Sequence, residues 1–225
     1  MKFSYAAWRK RFQWAIGLVL LSVTVAAQAQ FSETAAGKAQ APANPTVLVM
    51  GDSLSAGYGL AADEGWVSLT AARIAKERPT WRVVNSSISG ETSAGGSSRI
   101  VAEVLRVKPK VVVIELGAND GLRGLPLREM RRNLARMIGA SQYVGAKVLL
   151  IGMRIPPNYG AEYTEGFEQV YLDLAKLFNV ELLPFLLQPI AADRGNFQDD
   201  NLHPIAAAQP KLRDHVWSAL APLLN

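Results

Sequence analysis

The sequence has no cysteine and only two histidines. The first absence excludes disulfides, thiolate nucleophiles and cysteine-ligated metals. The second leaves His203 and His215 as the imidazoles able to act as a base near neutral pH. An excess of one charge sign is also missing. The chain carries 24 Lys and Arg against 19 Asp and Glu, but four of the bases (Lys2, Arg9, Lys10, Arg11) sit in an N-terminal leader. Without them the balance is 20 to 19, a net charge of +1, which gives no support for nucleic-acid binding. No internal repeat is visible. The apolar run from Trp14 to Ala27 is shorter than the ~20 residues a membrane span requires.

That run has a different reading. A basic leader, an apolar stretch and the small-x-small pattern Ala27-Gln28-Ala29 form the layout of a secretory signal peptide. Residues 1–29 are therefore expected to be removed. The product is expected in the periplasm or outside the cell, as a monomer with no stable membrane insertion. Residues 30–45, rich in Ala, Pro, Ser, Thr and Gln, read as a flexible linker. Residues 46–225 are left as one domain, long enough to bury a core without cross-links.

Within that domain apolar runs alternate with helical spacing. Strands are expected over 46–50, 82–85, 110–116, 147–151 and 180–185. Helices are expected over 65–78, after the Ser/Gly-rich stretch 86–98, and over 127–144, 163–178 and 204–224. Such alternation predicts an α/β fold, a three-layer α/β/α sandwich around a mainly parallel five-stranded sheet with right-handed crossovers.

The first strand runs directly into Gly51-Asp52-Ser53-Leu54-Ser55. Open parallel sheets bind ligands at the carboxyl ends of their strands, so Ser53 is a candidate nucleophile. His203, in the loop Asp199-Asp200-Asn201-Leu202-His203-Pro204, is the better candidate base. His215 falls inside the last expected helix. Asp200 precedes His203 by one turn and can hold its ring in one tautomer. Gly90 and Asn119 follow the second and third strands. They can offer a close backbone N–H and a side-chain amide to an oxyanion, together with the Ser53 N–H. Leu122, Leu125, Ile155, Pro156 and Tyr159 lie in loops expected at the same edge and could line a groove for an acyl group. Asp52, Asp120 and Asp200 could gather a cation, but the base and the oxyanion donors already account for the site. Neither metal nor cofactor is expected.

Four blocks carry a resemblance. Gly51-Asp52-Ser53-Leu54-Ser55, Asn85-Ser86-Ser87-Ile88-Ser89-Gly90-Glu91-Thr92, Gly117-Ala118-Asn119-Asp120 and Asp200-Asn201-Leu202-His203 resemble the conserved blocks of the SGNH, or GDSL-type, hydrolases. The likeness extends from about Val47 to Leu224. It is closest to the periplasmic thioesterase, arylesterase and lysophospholipase branch. Gly121-Leu122-Arg123-Gly124 and Pro157-Asn158-Tyr159-Gly160 look like loops of that branch. The resemblance implies a flavodoxin-like SGNH hydrolase fold and cleavage of a small-molecule acyl ester or thioester. It also implies Ser53 as nucleophile, His203 as base, Asp200 as its partner, and Ser53, Gly90 and Asn119 as the oxyanion hole. A carbohydrate acetyl-esterase and a non-enzymatic exported binding module are the alternatives.

Overall fold

Apolar residues too dense for one-sided burial build the centre of the sheet. Strand β1 (Thr46–Gly51) is buried at every position, as is β3 (Val111–Glu115). That is the signature of strands covered on both faces. They pair in parallel, with Val47 opposite Val111 and Gly51 opposite Glu115. Shorter strands flank them: β2 (Arg82–Asn85), β4 (Lys147–Ile151) and β5 (Glu181–Leu183). The sheet is entirely parallel, in the order β2-β1-β3-β4-β5. These observations come from a computed structural model that describes residues 44–225. The expected signal peptide and nearly all of the expected linker lie outside the described residues.

Strand order assigns the layers. The chain steps one way from β1 to β2 and the other way from β2 through β5. Right-handed crossovers then put the first helix on one face and its successors on the other. Helix α2 (Trp66–Glu77) packs with α7 (Gln209–Leu220) on the first face. Helices α3 (Ser93–Val107), α5 (Leu127–Tyr143) and α6 (Ala161–Phe178) pack in succession on the second. Two short helices, α1 (Ser53–Ala56) and α4 (Ala118–Leu122), begin just beyond β1 and β3. The order reverses at β1, so the crevice between the carboxyl ends of β1 and β3 is the topological switch point.

Three of the boundaries that differ from expectation have a visible physical reason. Helix α3 begins at Ser93, inside the stretch read as a Ser/Gly loop. The buried Asp120 carboxylate accepts the Ser93 N–H (2.7 Å) and hydroxyl (2.6 Å), a cap supplied from across the fold. The last helix starts at Gln209 rather than near 204. Pro204 is held in an antiparallel bridge to Phe197, and Pro210 occupies the first turn of α7, where its missing N–H is no loss. Strand β5 stops at Leu183 because Pro184, next in line, has no N–H for the ladder.

Candidate active site

The end of β1 places Ser53 at the first position of α1. Asp52 caps that helix, its carboxylate accepting the Leu54 N–H at 3.0 Å. The serine hydroxyl lies 2.8 Å from Nε2 of His203, although 150 positions separate the two residues. On the other side of the ring, Nδ1 lies 2.6 Å from Oδ2 of Asp200. The second Asp200 oxygen accepts the backbone N–H groups of Leu202 (2.9 Å) and His203 (3.0 Å), with Asn201 in the left-handed region at φ 62°. This is a tight Asx-type turn. It presents the imidazole edge-on between a hydroxyl and a carboxylate. The bond from His203 lowers the Asp200 pKa to about 2, with help from the two backbone donors. Tyr58 lies against the imidazole, ring centroids 4.5 Å apart.

At the end of β3, Asn119 sits in the first turn of α4. Its amide donates to the Glu91 carbonyl at 3.0 Å and, at the longer distance of 3.2 Å, to Asp52. The turn before it demands Gly117. The backbone there has φ 122°, and a Cβ would stand 2.2 Å from the Tyr171 hydroxyl, which donates to the Leu116 carbonyl. Gly90 closes the third side, and its carbonyl accepts from Arg123 at 3.0 Å. Asp52 is 1% exposed. Burial is the main cause that raises its pKa to about 6, against the opposing pull of the Leu54 N–H, the His203 ring and the Asn119 amide.

Ser53, Gly90, Asn119 and His203 all open onto one cavity of about 580 Å³. A hydroxyl, an imidazole, a carboxylate and several N–H donors at one edge of a sheet form the constellation that acyl transfer requires. The GDSL-like Lipase/Acylhydrolase family model matches residues 49–209. The chain belongs to this family. Among similar proteins, Esterase TesA of Pseudomonas aeruginosa is 49% identical over 185 residues, covering 82% of this chain and 92% of its own. Thioesterase 1/protease 1/lysophospholipase L1 of Escherichia coli strain K12 is 40% identical over 186 residues, 83% of this chain and 88% of its own. The crystal structure of the psychrotrophic esterase EstA from a Pseudoalteromonas species, inhibited by monoethylphosphonate, superposes with a TM-score of 0.76. It is 40% identical and covers 80% of this chain and 98% of that one.

The fold of this GDSL-like protein gathers Ser53, Gly90, Asn119, Asp200 and His203 at one edge. Of the five groove residues expected from sequence, Leu122, Ile155 and Pro156 line the cavity. Leu125 and Tyr159 do not. Tyr159 turns its hydroxyl to the Leu122 carbonyl (2.8 Å) and its ring toward Tyr163. The Leu125 carbonyl accepts from the Tyr163 hydroxyl. Both are exposed at the surface instead. Sequence reasoning passed over Tyr58, Met153, Phe185, Leu187 and Phe197, all of which line the cavity. Met153, Phe185 and Leu187 closely follow β4 and β5, so the rule that ligands sit at strand carboxyl ends could have found them. Tyr58 and Phe197 carried no such signal. His215 lies away from the cavity and bonds the Phe185 carbonyl at 3.0 Å. Asp120 is occupied by Ser93, as described above.

Proposed function

We propose that this protein is a serine hydrolase that cleaves carboxylic ester and thioester bonds through an acyl-enzyme. The observation that carries the proposal is the continuous relay Ser53–His203–Asp200, with bonds of 2.8 and 2.6 Å. His203 takes the Ser53 proton as Oγ attacks the acyl carbonyl, and Asp200 stabilises the imidazolium that forms. Negative charge develops on the carbonyl oxygen. It is met by the N–H groups of Ser53 and Gly90 and by the Asn119 amide, which shares its long bond to Asp52. The imidazolium then protonates the leaving alcohol or thiol. Water, deprotonated by the same ring, releases the acid and regenerates Ser53. No metal or cofactor takes part in these steps. The basic-apolar-small leader supports export, with action in the periplasm or outside the cell as a monomer.

Replacing Asn119 with alanine is expected to lower kcat about 10²–10³-fold, or about 3–4 kcal/mol, with little change in KM. An unchanged kcat would remove Asn119 from the oxyanion hole.

The pH profile has a definite sign. A proton on Nε2 of His203 blocks the transfer from Ser53, so kcat/KM falls on acidification. Asp200, held at about 2, remains ionised throughout and cannot be the source of that limb. A kcat/KM that does not fall on acidification contradicts a histidine base.

The cavity favours an apolar acyl chain, since Leu122, Met153, Ile155, Phe185 and Leu187 share its wall. Across a series of aryl esters, kcat/KM is expected to rise from acetyl to octanoyl, with each buried methylene adding up to ~0.8 kcal/mol. Indifference to chain length, or a preference for acetyl sugars, would point to the carbohydrate acetyl-esterase reading instead.

A further inference from the structure

Glu115 ends β3 opposite Gly51, two residues before the nucleophile, is wholly buried, and takes no part in the relay. Its Oε2 accepts the Ser55 hydroxyl at 2.7 Å. Ser55 shares the four-residue helix α1 with Ser53. Asp52 holds the Leu54 N–H and the Asn119 amide. A single buried carboxyl thus holds the short helix that carries the nucleophile, two residues beyond it.

Gly51 records the same demand. It pairs with Glu115 in the sheet register. A Cβ there would stand 2.6 Å from the Ser55 side chain and 3.0 Å from Oε2 of Glu115. The first glycine and the last serine of Gly51-Asp52-Ser53-Leu54-Ser55 are therefore both residues that Glu115 requires. A structural prop could be apolar and cost less to bury. The other oxygen, Oε1, has no partner among the described residues.

We propose that Glu115 is a positioning residue for the hydrolytic reaction, fixing the Ser53 turn through Ser55 and the close fit at Gly51. The proposal rests on the reading of Ser53 as the nucleophile. Burial, with the neighbouring Asp52 charge, pushes the Glu115 pKa well up, while the Ser55 hydroxyl donates to it. Its role is then to accept that hydrogen bond, which a glutamine amide oxygen can also do.

The test compares Glu115→Ala, Glu115→Gln and Ser55→Ala with the wild type. An aryl ester is the substrate, and kcat is expressed per Ser53 labelled by a fluorophosphonate. That normalisation removes any unfolded fraction. A displacement of the nucleophile by about 1 Å can cost on the order of 10²-fold. Glu115→Ala is accordingly expected to lose about 10- to 100-fold in kcat with KM within about twofold. Glu115→Gln is expected to recover kcat to within about fivefold, since neutral hydrogen bonds differ by about 1 kcal/mol. Ser55→Ala removes the hydrogen bond but keeps the buried carboxyl and nearly the same shape, so it is expected to fall between them. The proposal is overturned if the labelled fraction of Glu115→Ala turns over at the wild-type rate. It is equally overturned if Glu115→Gln is as impaired as Glu115→Ala, or if Ser55→Ala matches the wild type. Wild-type protein that takes no label at Ser53 would instead defeat the nucleophile reading, a distinguishable failure.

Discussion

Ser53→Ala is expected to lower kcat by a factor on the order of 10⁶, leaving only what the oxyanion donors and the apolar cavity contribute. The reason lies in the neighbourhood of the hydroxyl. The nearest substitute in sequence, Ser55, is buried and donates its hydrogen bond to Glu115, so it cannot reach a substrate. Water in the vacated space would have to attack with His203 as base, without the entropic advantage of a tethered nucleophile. His203→Ala is expected to cost nearly as much, and the double variant little more, because the two residues act as one unit. Hydrolysis of an aryl ester measures the effect. Mass spectrometry after phosphonate treatment should show one adduct per wild-type chain and none on Ser53→Ala. A Ser53→Ala protein retaining more than about a hundredth of wild-type kcat would sink the mechanism.

Asp200→Asn is expected to reduce kcat about 10⁴-fold while leaving the fold intact. In the native turn, one carboxylate oxygen accepts two backbone N–H groups and the other faces Nδ1 of His203. The amide oxygen of asparagine must take the first place, since an amide nitrogen there would confront two donors. Its NH₂ group then points at Nδ1. The ring responds by carrying its proton on Nε2, facing Ser53, and can no longer accept the serine proton. Kinetics on a soluble ester, with circular dichroism as the control for folding, checks this outcome. If Asp200→Asn kept near-native kcat, Asp200 would not be the residue that sets the tautomer. The lowered pKa of Asp200 carries a separate sign. Its stabilising effect is complete above the ordinary carboxylate pKa near 3.8 and disappears as pH falls through about 2. Acid unfolding above that range therefore arises elsewhere.

Legibility in the sequence followed the physics of each element. Strands β1 and β3 were visible because burial on both faces forces unbroken apolar runs. Long helices were visible because one buried stripe imposes its period. Helix α3 was read too short because its first turn is composed of Ser and Gly, and the cap that offsets their poor propensity comes from Asp120, 27 residues on. Helix α4 was missed for a similar reason, its five residues being too few to show a period. Among candidate site residues, Asp200 and His203 were legible as a pair because one turn joins them. Glu115 was not, since at the end of a buried strand a lone carboxylate carries no sign of what it holds. Leu125 and Tyr159 were expected in the groove because loop composition cannot say which way a side chain turns. For Tyr159 the hydrogen bond from its hydroxyl to the Leu122 carbonyl decides that.

By itself the sequence determined the class of sheet, the family and the chemical types gathered at the strand ends. Apolar periodicity and short polar motifs are local properties, written over a few residues. The tertiary structure alone decided the 2.8 Å meeting of Ser53 with His203, the choice of cavity wall and the buried grip of Glu115. Each of these depends on strand order and register. Those are settled by the packing of the whole core, and no single stretch of the chain specifies them.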